Sequence, residues 1–249
     1  MDNLDDVWGN PYNFKNINIY PIKMKDCNNF YEYVTCLTID KNKIQDIQIL
    51  RMSYLRFLFF IGLYARDDND DNFQYLIEKL EKLLNLVFRN NVNFYFEEEK
   101  IFILVDDIKL NEVHFDKIRK IILKQNLIPI NEDNLDPEIE RALKEAEEFL
   151  SARNNSPTLE ETIVSYHIAT GIPYREIKNL TIYQFKKGIE RLDLMKTWEV
   201  YTYPALKSGE SEKIKHWLSH IPEKSIYDGL VMSMEDFDKM TSNSGIFKK

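Results

Sequence analysis

Glycine is scarce in this chain, at 7 of 249 residues, about 3% against the roughly 7% usual in proteins. The seven stand singly, at Gly9, Gly62, Gly171, Gly188, Gly209, Gly229 and Gly245. No two can therefore build the paired-glycine turns that cradle phosphate or a dinucleotide. Cysteine is scarcer still. Cys27 and Cys36 are too few for a disulfide scaffold or a four-thiolate metal site, and too far apart for a redox pair. No apolar run is long enough for a membrane span. The most apolar stretch, Tyr54 to Tyr64, carries Arg56 and lies between Arg51 and Arg66, short of the roughly 20 apolar residues a spanning helix needs. It reads as a buried core helix. Basic charge is also lacking: 33 Lys and Arg stand against 41 Asp and Glu, a net charge of −8. Proteins that wrap nucleic acid rely on clustered Lys and Arg, so that class is disfavoured.

Hydrophobic periodicity is plentiful. Asn16 to Met24 alternates apolar and polar residues and reads as a short edge strand, since Pro21 cannot donate to a ladder. Asp26 is placed to cap a helix whose inner face is Phe30, Tyr31, Val34 and Leu37. A single helix is expected over 47–65, and another over 73–88 with a Leu76, Ile77, Leu80, Leu83, Leu84, Val87 stripe. The period then drops to two. Val92–Phe96 and Ile101–Val105 flank a charged turn and predict a β-hairpin near 92–105, with Ile108 and Leu110 as a further short strand. His114 to Gln125 returns to helix.

Residues 131–150 hold eight acids and two bases. Asp136-Pro137 opens a helix with a narrow apolar face over 138–153, and 152–157 is the best linker in the chain. Thr158 and Glu161 form a capping box, Gly171 ends that helix, Pro173 opens a short one, and Thr181 caps a long one. A last helical turn or two is expected from Met234 to Met240. The expected fold is α+β and predominantly α-helical. Residues 1–130 form an N-terminal mixed α/β domain with the β-hairpin, and residues 131–249 a C-terminal all-helical domain.

Three side-chain constellations invite a chemical reading, and none completes one. Asp67, Asn69, Asp71 and Glu78 fall at calcium-loop places one, three, five and twelve. Place six, however, is Asn72 where a sharp turn needs glycine. His216 and His220 have a zinc-compatible spacing, yet nothing nearby supplies further ligands and Pro222 stops the helix. The acidic pairs Asp67-Asp68 and Asp106-Asp107 read as solvated loops. We therefore expect no catalytic residues, no metal, no cofactor and no enzyme.

Glu161 to Leu192 reads as helix, glycine-containing turn, short helix, turn, long helix. Gly171 followed six residues later by Ile177 has helix-turn-helix spacing, with Arg175, Lys178, Lys186, Lys187 and Arg191 available to phosphates. Against that, His167 is bulky where the two helices must touch, and Pro173 alters the turn. The plain alternative is a helical hairpin with Ile172, Tyr174, Ile177, Leu180, Ile182 and Phe185 in its core.

IATGIPYREIKNLTIYQFKKGIERLD, with IKHWLSHI downstream and NPYNFKNINIYPIKMKD near the start, resembles tail-assembly proteins of phages and prophages of low-GC Gram-positive bacteria. Tyr174, Glu176, Ile177, Leu180, Thr181 and Phe185 match the pattern in tail assembly chaperones, where a short helix precedes the last one. The resemblance implies a non-enzymatic tail morphogenesis protein, a chaperone or adaptor that coats the tape-measure protein until tail-tube subunits replace it. The implied partners are those tail proteins or another protein, with homo-oligomers open, and neither nucleic acid nor membrane. The implied location is the cytoplasm of the bacterial host or the virion. Candidate contact residues are Tyr174, Glu176, Ile177, Leu180 and Phe185, with Trp198, Tyr201, Tyr203 and Trp217 as aromatic anchors. Each of these aromatics reads equally well as core. The alternative functions are a helix-turn-helix nucleic-acid binder and a phage regulatory or host-interaction protein.

Overall fold

The computed structural model describes residues 4–41, 46–67, 75–98, 100–129, 157–208 and 216–221. The expected acidic helix after Asp136-Pro137, the linker at 152–156, the acidic loop over 68–72 and the turn at Met234–Met240 lie outside these residues. Within them the fold is α+β and predominantly helical, with two small antiparallel sheets and a helical C-terminal part.

The chain opens with a short helix α1 (Asp5–Trp8) and a tight hairpin, β1 (Tyr12–Phe14) and β2 (Ile17–Ile19). Ile19 pairs with Tyr12 and Ile17 with Phe14. The expected strand over 16–24 is thus confined to three residues, because the backbone beyond it bonds to other elements. α2 (Cys27–Tyr33) follows a 3-10 turn at Met24–Asp26, and Asp26 makes no side-chain cap bond. That expected cap is absent because the 3-10 turn already leads into the helix.

The expected single helix over 47–65 is two helices, α3 (Ile47–Arg51) and α4 (Tyr54–Asp67). Met52 is extended, and Ser53 restarts the helix by accepting from the Arg56 amide at 3.2 Å. Ser53 also donates to Glu112 at 2.6 Å. Glu112 further accepts from Arg56 and from the Ile101 amide, each at 3.1 Å. Burial opposes ionisation of Glu112, but the bonds from Ser53, Ile101 and Arg56 outweigh it and hold its carboxyl below the usual range. A half-buried carboxylate thus ties the start of α4 to the backbone at Ile101.

α5 (Leu76–Phe88) buries the expected leucine stripe. β3 (Val92–Glu97), β4 (Lys100–Val105) and β5 (Ile108–Asn111) form one antiparallel sheet in sequence order, with Phe94 opposite Ile103 and Ile103 opposite Leu110. With no glycine at either turn, Glu98 and Asp106 take the left-handed conformation at φ 46° and 52°. α6 (Glu112–Gln125) starts at a capping box between Asn111 and His114. The buried faces of α4, α5, α6 and the sheet form the core, and Phe59 stands edge-on to Phe94 and Phe96.

The C-terminal part comprises α7 (Leu159–Thr170), α8 (Tyr174–Ile177) and α9 (Ile182–Ser208). Thr158 and Glu161 cap α7 reciprocally. Gly171 ends it at φ +73°, the left-handed position where glycine costs least. Thr181 and Gln184 cap α9, each side chain bonding the other's backbone amide. The expected signals at Thr158, Gly171, Pro173 and Thr181 all correspond to observed element ends.

Candidate functional site

The helical part is anchored to the N-terminal part along one extended strip of backbone. Tyr20 donates to Val87 and Ile22 to the Asn126 side chain. Met24 donates to Leu180 at 2.8 Å, Lys25 to Lys178 at 3.0 Å, and Ile182 back to Ile22 at 2.8 Å. Lys23 and Thr181 form an isolated antiparallel bridge. Residues 20–25 therefore bond through their backbone to three different elements, which is how a partly buried strip outside a sheet finds partners for its polar groups.

Two expected contact residues belong to this anchor. Ile177 and Phe185 are buried and share a core with Ile22, Met24 and Ile182. Phe185 also meets Tyr166 edge-on at 5.1 Å between centroids. Each buried side chain of this size contributes about 1.5–3 kcal/mol, so their position is set by folding. Leu180 is half-buried beside them. Tyr174 and Glu176 lie at the surface. Tyr174 stacks on His167 at 4.2 Å, and the His167 ring nitrogen Nδ1 bonds the Ile172 carbonyl at 2.7 Å. That bond closes the α7–α8 turn around the bulky His167.

The basic residues that suggested phosphate contacts are mostly engaged. Lys187 pairs with Glu190 at 2.8 Å. Arg191 donates to the carbonyls of Trp217 and Ser219 at 3.0 and 2.6 Å. Lys186 sits half-buried over the Tyr31 ring. Arg175 lies 3.6 Å from Glu176, leaving only Lys178 without an assigned use in the structure described. Moreover α8 has a single turn.

The far half of α9 is different. Arg191 holds the segment 216–221 against the helix, and His216 stands edge-on to Trp198 at 5.2 Å and near Trp217 at 5.9 Å. His216 Nδ1 accepts from the Leu218 amide at 3.2 Å, which fixes the ring against the turn at 216–219. Beyond this clasp Val200, Tyr201, Tyr203 and Leu206 are 58–65% exposed. Pro204 lies inside the helix, where it removes one backbone bond from the last turns. Sequence reading placed Tyr201 and Tyr203 among the anchors but missed Val200 and Leu206. Their apolar character in a weakly amphipathic helix is the signal that was there.

Reactive chemistry is sparse among the described residues. No group of three or more His, Cys, Asp or Glu is placed to hold a metal ion. Both thiols are buried, and burial pushes that of Cys36 up to about 12, so it is no nucleophile at neutral pH. No helix among the described residues is long and apolar enough to cross a membrane. No curated protein and no solved structure matches the chain. Residues 151–222, less than a third of the chain, match the family model described as YomV second domain, which associates this helical module with prophage-type proteins of Bacillus.

Proposed function

We propose that the chain is a non-enzymatic phage morphogenesis protein that works by binding other proteins, as a tail assembly chaperone or adaptor for tape-measure or tail-tube subunits. The exposed apolar end of α9 carries the reading. It lies within the segment that matches a prophage-type family, and it presents Val200, Tyr201, Tyr203 and Leu206 to solvent. Four large apolar side chains within seven residues are left in water there, and aromatics dominate protein-binding hot spots. The clasp of Trp198, His216 and Trp217 stiffens the root of this arm, so less ordering is needed on binding.

The net charge of −8 keeps such a binder soluble while it presents apolar side chains. A nucleic-acid role has less support, because Lys187 and Arg191 already serve the fold. The reading is tested by co-expressing the chain with the tape-measure protein and, separately, the tail-tube protein of the same phage. The expected result is a gain in soluble yield and co-purification with one of them. No gain and no co-purification with either would overturn it.

A further inference from the structure

Where α7 and α9 meet the N-terminal part they leave a cleft of about 320 Å³. Its walls are apolar: Met24 and Tyr31 from the N-terminal part, Leu159 from α7, and Phe185 and Ile189 from α9. Two charged residues stand on the α9 side, Lys186 and Glu190, and their situations differ. Glu190 is already neutralised, with Lys187 at 2.8 Å. The Lys186 ammonium lies 5.4 Å from the centre of the Tyr31 ring, and no carboxylate among the described residues reaches ion-pair distance of it. Burial lowers its affinity for a proton, an effect Glu190 only partly offsets. A half-buried cation against apolar walls is costly until an anion meets it, and then contributes far more than at an open surface.

We propose that this cleft is a second docking site, for a helical segment of another protein that seats a large apolar side chain between Tyr31, Leu159 and Ile189 and sets a carboxylate on Lys186. Charge complementarity selects this occupant: the walls ask for apolar groups and the one unpaired charge asks for an anion. The volume is at the small end of the roughly 300–1,000 Å³ usual for pockets, which suits one or two side chains of a helix laid across it. This site is separate from the exposed end of α9, so it stands or falls independently of the function proposed above.

The test uses the full chain and a fluorescein-labelled amphipathic helical peptide of about twenty residues with Leu and Phe anchors four apart and Glu one turn away. Its Glu→Gln and Glu→Lys versions serve as comparisons, and binding is read by fluorescence anisotropy. The Glu peptide is expected to bind about tenfold tighter than the Gln peptide, the size of a charge-assisted bond to a half-buried group. Lys186→Met, which keeps the stem and removes the charge, should erase that difference. Lys186→Glu should reverse the order in favour of the Lys peptide. Equal binding of the Glu and Gln peptides, or no binding of any peptide, would overturn the proposal. So would a concentration-dependent dimer that Lys186→Met abolishes, because a second copy would then be the occupant. Ile189→Glu provides a variant that leaves Lys186 in place and should still lose the Glu peptide.

Discussion

Replacing Gly188 by alanine should destabilise this protein, although the same change in an open helix would stabilise it. A glycine-to-alanine change inside an exposed helix gains about 1 kcal/mol from backbone entropy. At position 188 the added carbon would sit 2.8 Å from the Tyr166 hydroxyl oxygen and 3.3 Å from two of its ring carbons. Tyr166 is only 8% exposed, and its ring is held edge-on to Phe185 at 5.1 Å. It cannot swing aside without leaving the core. Overpacking of this kind costs about 1–3 kcal/mol, so the net expectation is a loss of about 1 kcal/mol. Tyr166→Phe removes the closest atom, and in that background Gly188→Ala should become neutral or mildly stabilising. The four proteins form a double-mutant cycle, read by urea denaturation followed by circular dichroism. A coupling of about 1 kcal/mol or more is expected. If Gly188→Ala stabilises the wild type and adds simply to Tyr166→Phe, the close approach of α7 and α9 is not what requires a glycine there.

Glu112→Gln should cost about 1–2 kcal/mol at pH 7, since it weakens charge-assisted bonds from Ser53, Arg56 and the Ile101 amide. Because the folded carboxyl titrates below the ordinary value of 4.5, its contribution is complete above that value and is lost as pH falls through the folded pKa. Urea melts at pH 7 and pH 3 should therefore show the wild-type advantage shrinking in acid. Glu98→Gly should raise stability by up to about 1 kcal/mol, since Glu98 holds φ 46° at an exposed hairpin turn. A lower thermal midpoint for that variant would show that the turn depends on the Glu98 side chain.

Local signals in the sequence located many element ends in the C-terminal part. Thr158 with Glu161, Gly171, Pro173 and Thr181 act within one helical turn of themselves, so their spacing carries the whole message. The sheet was legible for a similar reason, because β3, β4 and β5 follow one another with short turns and a period of two. The break at Met52–Ser53 was not, since it is fixed by Glu112, 59 residues away. Nor was the confinement of β2, whose continuation bonds to Val87, Asn126 and Leu180.

The candidate site divides along the same line. Tyr201 and Tyr203, which read in the sequence as contact anchors or equally as core, are exposed late in a long helix. Ile177 and Phe185 match the resemblance as Tyr174 and Glu176 do, yet they are buried while those two are exposed, because their neighbours Ile22 and Met24 come from the other end of the chain. The cleft at Lys186 has the same origin: Tyr31 and Lys186 are brought together by the fold and by no feature of local sequence.

The most direct test of the account is the double substitution Tyr201→Ser and Tyr203→Ser in the co-purification experiment. Both side chains are well exposed, so the variant should keep its circular dichroism spectrum and thermal midpoint while its recovery with the tail partner falls at least about tenfold, as loss of two interface aromatics implies. Undiminished recovery of the partner by a folded variant would contradict the claim that the exposed end of α9 is the binding arm.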